Sequence, residues 1–130
     1  VSLRIDIRAT EQAEIQRQRD AVERLLDALE IQRGVATSLT CNYDVPPTPM
    51  ADRCQQAIAD AAERRAIPTR RVHSGAGHDT MQIADVTDAG LLFVASENGH
   101  SHSPKELASW DNCTVATTAL AESLLDLSTP

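Results

Sequence analysis

The run Leu91-Leu92-Phe93-Val94-Ala95 is the stretch of this sequence that most strongly predicts its fold. Five consecutive apolar residues are typical of a strand that is buried on both faces of a parallel sheet. Apolar positions at helical spacing predict helices over 49–66 and 79–86 before this run, and a third that Ser109 caps after it. A short strand is predicted over 70–73. The alternation of helices and strands predicts an α/β layered domain.

The first 45 residues predict a separate strand, helix and strand. Residues 1–8 alternate apolar and polar side chains, which is typical of a half-buried strand. Thr10 is predicted to cap the helix that follows, and Gly34 to end it. The alternation over 35–43 predicts the second strand. Such a unit is apolar on one side only, which suits a lid or an association surface.

A boundary between the two parts is predicted at the proline-rich segment 46–49. Consecutive prolines interrupt a hydrogen-bonded ladder, and Thr48-Pro49 is a favourable pair for the cap and first turn of a new helix. The predicted domains are therefore 1–45 and 46–130.

Composition excludes several classes of function. The 130 residues carry 19 acidic and 12 basic side chains, a net charge of −7, with one Trp, one Tyr and one Phe. This balance repels phosphate backbones and leaves few rings for base stacking, so no nucleic-acid partner is expected. No stretch approaches the roughly 20 apolar residues of a membrane span.

The cysteines and the first residues predict the cellular setting. Cys41, Cys54 and Cys113 are widely spaced, which predicts small, buried, reduced thiols and a cytoplasmic protein, with neither a disulfide framework nor a cysteine zinc site. The chain begins with Val1 and shows no signal-peptide pattern, so we expect it to be part of a longer protein.

The histidines mark the candidate chemistry. All four, at positions 73, 78, 100 and 102, lie close together in the sequence, three of them in the loops 74–79 and 97–106. Both loops follow predicted strands. Because ligands of α/β sheets bind at the carboxyl ends of strands, the two loops are expected to face one crevice.

Each candidate residue has two interpretations. The turn at 75–77 either admits a ligand close to the backbone or is only tight. His100 and His102 are either metal ligands or hydrated loop residues, and Glu106 either orients an imidazole or is solvated. Arg8 either grips a carboxylate with its guanidinium or lies on the surface.

Three blocks in consistent order resemble a known family. They are SGAGHD at 74–79, LFVAS at 92–96 and NGHSHSPKE at 98–106. They resemble the metal-dependent amidohydrolases that include N-carbamoyl-L-amino-acid hydrolase, allantoate amidohydrolase and β-ureidopropionase, in the zinc-exopeptidase-like clan. SLRIDIR at 2–8 is similar to the strand of that family's lid, which ends in Asp-x-Arg.

The resemblance implies a fold for the whole chain. The chain would be the C-terminal portion of such an enzyme. Residues 1–45 would be the second half of a ferredoxin-like lid or dimerisation domain. Residues 46–130 would be the last part of a three-layer α/β catalytic domain.

The resemblance also implies roles for individual residues. His102 would be the last ligand of a centre of two divalent ions (Zn, Mn, Ni or Co), although His100 stands where the family usually has an aliphatic residue. His78 would act near the scissile amide, and Arg8 would hold the substrate carboxylate. The supporting residues would be Asn98 and Gly99 at the substrate and Asp79 and Glu106 in the surrounding shell.

The implied activity is hydrolysis of the ureido or amide C–N bond of an N-carbamoyl amino acid or an allantoate-like carboxylate, by a homodimer formed through the lid. The family's other metal ligands and its general-base glutamate precede the lid, so the isolated chain is expected to be inactive. Two alternatives stay open: a noncatalytic dimerisation or interaction module, and an aminoacylase or peptidase of the same clan.

Overall fold

The computed structural model describes residues 1–129, and its regular elements there are four α-helices and one 3₁₀ turn. The helices are α1 (Gln12–Arg33), α2 (Asp52–Arg64), α3 (Asp79–Ala84) and α4 (Trp110–Ser128), and the 3₁₀ turn is Glu97–Gly99. Within this part of the chain, no helix is both long and apolar enough to cross a membrane.

The chain divides into two compact units. Unit 1 comprises Val1–Thr48 and His73–Ala76, and unit 2 comprises Pro49–Val72 and the residues from Gly77 on. The first passage between the units falls inside the proline-rich segment 46–49. The assignment of 73–76 to unit 1 was not predicted, because no local pattern in that segment distinguishes it from its neighbours.

Helix α1 forms as its periodicity predicts, and its end is confirmed. Gly34 adopts φ 63°, and its N–H donates to the carbonyl of Glu30, as in a glycine-terminated helix. The predicted cap was wrong: Glu11, not Thr10, is the N-cap residue, and no side chain caps the helix there. The Glu30 carboxylate accepts hydrogen bonds from the N–H and hydroxyl of Thr37, at 2.6 and 2.7 Å. These bonds fix the segment after α1 to the helix.

In unit 2, α2 packs against α4 through small side chains. The buried residues are Cys54, Ala57, Ala61 and Ala62 on α2 and Ala119 and Ser123 on α4. Short side chains at 119 and 123, one turn apart, allow the two helices to approach closely. The larger apolar side chains Val115, Leu120 and Leu124 of α4 are exposed.

The ends of α2 and α4 are held by backbone and side-chain bonds. The predicted cap at Thr48 was wrong, since α2 begins at Asp52 after Ala51, whose N–H donates to the carbonyl of Ala89 at 2.9 Å. The predicted cap of α4 is confirmed: the Ser109 hydroxyl accepts from the N–H of Asn112 at 3.1 Å. Caps therefore form where a polar side chain reaches a free helix N–H.

The four predicted strands, over 1–8, 35–43, 70–73 and 91–95, are wrong for the described residues, which contain no strand. A strand exists only when a neighbour supplies a hydrogen-bonded ladder, and no backbone ladder joins these segments. The central run is correspondingly open, with Phe93 48% and Val94 39% exposed. The three-layer α/β architecture and the ferredoxin-like half are therefore not confirmed.

The cysteine predictions hold for some residues only. All three thiols are free, and Cys54 is buried while Cys113 is half-buried. Cys41 is exposed, so its predicted burial was wrong. It lies in the second segment predicted as a strand, where no neighbouring strand covers it.

Candidate functional site

The Arg8 guanidinium is held from two sides within unit 1. Its Nε and Nη2 donate to the two carboxylate oxygens of Asp6, at 2.9 and 2.6 Å. Its Nη1 donates to the carbonyl oxygen of Gly75 at 2.6 Å. A guanidinium has five N–H donors, so two remain, one on each terminal nitrogen. That pair can be accepted together by the two oxygens of another carboxylate.

Both partners of this ion pair are charged at neutral pH. The hydrogen bond from Arg8 lowers the pKa of the Asp6 carboxyl below its usual value, and the same bond raises the pKa of Arg8 further. Their side chains are 64% and 62% exposed. Solvent therefore reaches the pair, and a small molecule can reach the remaining donors.

His78 lies in unit 2 at the start of α3. It is the N-cap residue, with extended backbone, and its carbonyl accepts from the N–H of Met81 at 2.9 Å. Its ring meets Phe93 edge to face, with centroids 5.4 Å apart and an interplanar angle of 61°. Asp79 is exposed in the first turn of α3, where a carboxylate is favourable. Backbone and ring contacts thus hold the half-buried imidazole.

The loop that carries His100 and His102 is closed at its base. The N–H of Glu97 donates to the carbonyl of Leu107 at 2.7 Å, and Asn112 Nδ2 donates to the carbonyl of Ala95 at 3.0 Å. At the start of the loop, Asn98 and Gly99 adopt positive φ values of 55° and 68°. Asparagine and glycine are the residue types that tolerate this conformation.

The second half of the loop is organised by Glu106. Its Oε2 accepts a hydrogen bond from the backbone N–H of His102 at 2.6 Å, and its own N–H donates to the carbonyl of Ser103 at 3.0 Å. His102 has φ 52° and is exposed, whereas His100 is half-buried. Glu106 thus bonds to the backbone of His102, and this bond fixes the position of His102 along the loop.

Within residues 1–129, no group of three or more His, Cys, Asp or Glu side chains lies close enough to hold an ion. A catalytic zinc site needs about three protein ligands. The expectation of a single crevice rested on a sheet edge, and the described residues contain no sheet.

Three contacts were not predicted from the sequence. Asp6 was placed on the polar face of a strand without a role, although its charge is opposite to that of Arg8 two positions later. The carbonyl of Gly75 carries no sequence signal, because any residue has one. Asn112 anchors the loop through its amide, and its place in the first turn of α4 gave no indication of this.

Comparison with known proteins identifies relatives over most of the chain. An N-carbamoyl-L-amino-acid amidohydrolase of Paenarthrobacter aurescens is 32% identical over 112 residues, which are 86% of this chain and 27% of that protein. An allantoate amidohydrolase of Bacillus subtilis (strain 168) is 31% identical over 127 residues, or 98% of this chain and 31% of that protein. The chain thus spans less than a third of either relative. No protein-family profile matches it.

A solved structure agrees with these relatives. The amidase of the hydantoinase/carbamoylase family from Burkholderia multivorans superposes with a TM-score of 0.85 and 26% identity, over 94% of this chain and 30% of that one. The curated relatives and this solved structure each match most of the chain. The chain belongs to the family of N-carbamoyl-L-amino-acid and allantoate amidohydrolases.

Proposed function

We propose that the protein containing this chain hydrolyses the ureido or amide C–N bond of an N-carbamoyl amino acid or an allantoate-like substrate. The observation that carries the proposal is similarity to two kinds of amidohydrolase whose named substrates share a ureido group and a carboxylate. Water is added across the C–N bond, and the amine and a carbamate, which decomposes to ammonia and carbon dioxide, are the products.

Arg8 is proposed to hold the substrate carboxylate. Its two remaining N–H donors suit bidentate binding, which fixes the direction of the acid end. Replacing Arg8 with Ala is expected to raise KM by roughly 10- to 100-fold, as for a lost hydrogen bond to a charged group. An unchanged KM would remove Arg8 from the site.

His78 is proposed to act at the scissile amide. An imidazole N–H can donate to the carbonyl oxygen as negative charge develops there in the transition state. Its ring is held against Phe93, which limits the directions in which it can donate. Replacing His78 with Ala is therefore expected to lower kcat more than it raises KM. Asn98 and Gly99 are proposed to contact the substrate, and Asp79 to support His78.

His102 is proposed as one ligand of a centre of two divalent ions (Zn, Mn, Ni or Co). Such ions, when bound, polarise a carbonyl and activate water. Glu106 is proposed to hold His102 through the backbone bond described above. Metal content of the complete protein, measured by mass spectrometry, should fall for His102→Ala and stay unchanged for His100→Ala. The opposite result would transfer the ligand role to His100.

A second copy of the chain is proposed as partner, with residues 1–45 at the interface. Large apolar side chains are exposed there, among them Leu3, Ile5, Leu39 and Tyr43. Such residues lose contact with water in a dimer, which is favourable. Light scattering of the complete protein should give twice the mass of one copy for the wild type and a lower mass for Ile5→Arg. A monomeric wild type would refute this assembly.

The decisive assay is release of ammonia by the complete protein from a panel of N-carbamoyl amino acids and from allantoate. It is run with divalent metal added and again with chelator. Metal-dependent release from either substrate class supports the proposal, and no release from both refutes it. Cleavage of N-acyl amino acids or dipeptides instead would favour the hypothesis that the protein is an aminoacylase or a peptidase. The names of the relatives do not favour that hypothesis or a noncatalytic module.

A further inference from the structure

The side chains of Asp6 and Arg8 form an ion pair that is joined by two hydrogen bonds. Asp6 accepts from Nε and Nη2, which lie on one edge of the guanidinium, so both of its oxygens are used. The carbonyl of Gly75, distant in sequence, accepts from Nη1. A long, 62% exposed side chain is therefore held at each terminal nitrogen.

This arrangement leaves a defined pair of donors. After three of the five N–H groups are used, one remains on Nη1 and one on Nη2. An exposed arginine without such contacts samples many rotamers, and a ligand must then select one of them at an entropic cost. Because Asp6 and Gly75 already restrict the guanidinium, that cost is lowered before the ligand arrives.

We propose that Asp6 is a positioning residue, which holds the Arg8 guanidinium so that its two remaining N–H donors receive a substrate carboxylate. This inference rests on the proposed role of Arg8. The pair carries no net formal charge, so the carboxylate is recognised through two directed hydrogen bonds more than through charge attraction. A primary carboxamide offers one oxygen in place of two and should bind less well at this position.

The test uses steady-state kinetics of the complete protein with an N-carbamoyl amino acid. Asp6→Ala is expected to raise KM by about tenfold, the effect of losing directed hydrogen bonds to a charged group, with a smaller change in kcat. Asp6→Asn keeps the size of the side chain and one acceptor oxygen, so its KM should lie between the KM of the wild type and that of Asp6→Ala. Far-ultraviolet circular dichroism checks that each variant is folded.

A matched control exists in the same unit. Arg19 donates to the carboxylate of Asp44 at 2.9 Å, which is another exposed aspartate–arginine pair outside the proposed site. Asp44→Ala should leave KM unchanged. A rise in KM equal to that of Asp6→Ala would show that loss of any such pair disturbs the protein and would overturn the inference.

The combination with Arg8→Ala separates positioning from a purely structural role. If Asp6 acts through Arg8, adding Asp6→Ala to Arg8→Ala should change KM by less than about twofold. If Asp6→Ala raises KM in the Arg8→Ala background as much as it does in the wild type, the inference is overturned. A KM for Asp6→Ala below that of the wild type would also overturn it, because Asp6 would then compete with the substrate for Arg8. If Arg8→Ala itself leaves KM unchanged, the proposed function of Arg8 has failed. If Arg8→Ala raises KM and Asp6→Ala does not, only the inference has failed.

Discussion

Replacing Gly90 with Ala should destabilise the contact between the 89–90 segment and α2. A Cβ atom built at Gly90 lies 2.8 Å from the Cβ of Cys54 and 3.6 Å from both its carbonyl carbon and the Cδ1 of Ile58. Carbon atoms in contact prefer separations of about 3.5–4.0 Å. The two segments must therefore move apart by roughly 1 Å, since a Cβ atom cannot rotate away from its own backbone.

The magnitude follows from the cost of overpacking. Inserting a methyl group into a well-packed position costs about 1–3 kcal/mol. The upper part of this range is expected, because Cys54 belongs to the buried face of α2 and the adjacent Ala89 carbonyl accepts the N–H of Ala51 at the start of that helix. Separation of the segments would strain that bond as well.

Urea denaturation of the purified chain measures the change in free energy of unfolding. Gly77→Ala is the matched control, since a Cβ there meets no atom within 4 Å, and it should be neutral or slightly stabilising. Cys54→Gly removes the opposing Cβ and should relieve most of the cost of Gly90→Ala, whereas Cys54→Ala keeps that atom and should not. A cost for Gly90→Ala below about 0.5 kcal/mol, or no relief by Cys54→Gly, would refute the reasoning.

Three further predictions concern helix ends and pH. Ala66 follows α2 with φ 53°, and its N–H and that of Ile67 donate to the carbonyls of Glu63 and Ala62, respectively. Because glycine tolerates a positive φ better than alanine does, Ala66→Gly should raise the free energy of unfolding by about 0.5–1 kcal/mol. Gly34→Ala should lower it by about the same amount, and urea denaturation measures both changes. Ser109→Ala should cost about 1 kcal/mol, whereas Thr10→Ala, at the cap that the structure does not show, should be neutral in the same assay. The hydrogen bonds from Thr37 lower the pKa of the Glu30 carboxyl. The stability that these bonds contribute is therefore present above the ordinary pKa of 4.5 and is lost as pH falls through the lowered pKa. The difference in urea midpoint between the wild type and Glu30→Ala should shrink to zero on acidification, and a difference that stays constant would contradict this origin.

The helices could be predicted from the sequence because their determinants are local. Apolar spacing, Gly34 after α1 and Ser109 before α4 each act within one or two turns, and the structure contains all three features. The errors at Thr10 and Thr48 are of another kind. Each is a residue with the right chemistry placed before a helix that begins a few residues later, so its side chain reaches no free helix N–H.

The predicted strands failed because strand formation is not local. The apolar run at 91–95 indicates side chains that are favourable to bury. It does not indicate which other segment would form backbone hydrogen bonds with it. No described segment does so, and Phe93 and Val94 are consequently exposed. Ladder partners are therefore the information that this stretch of sequence lacks.

The candidate site shows the same distinction between residue type and placement. Arg8, His78 and His102 received their predicted roles from the resemblance of the sequence to a known family, and those roles stay predictions. What holds them depends on backbone groups that carry no sequence signal: the Gly75 carbonyl on Arg8, and the His102 N–H that Glu106 accepts. Asp6 is the informative case, because a carboxylate two positions before an arginine is visible in the sequence. Only the structure shows that both Asp6 carboxylate oxygens accept hydrogen bonds from one edge of the guanidinium, formed by Nε and Nη2.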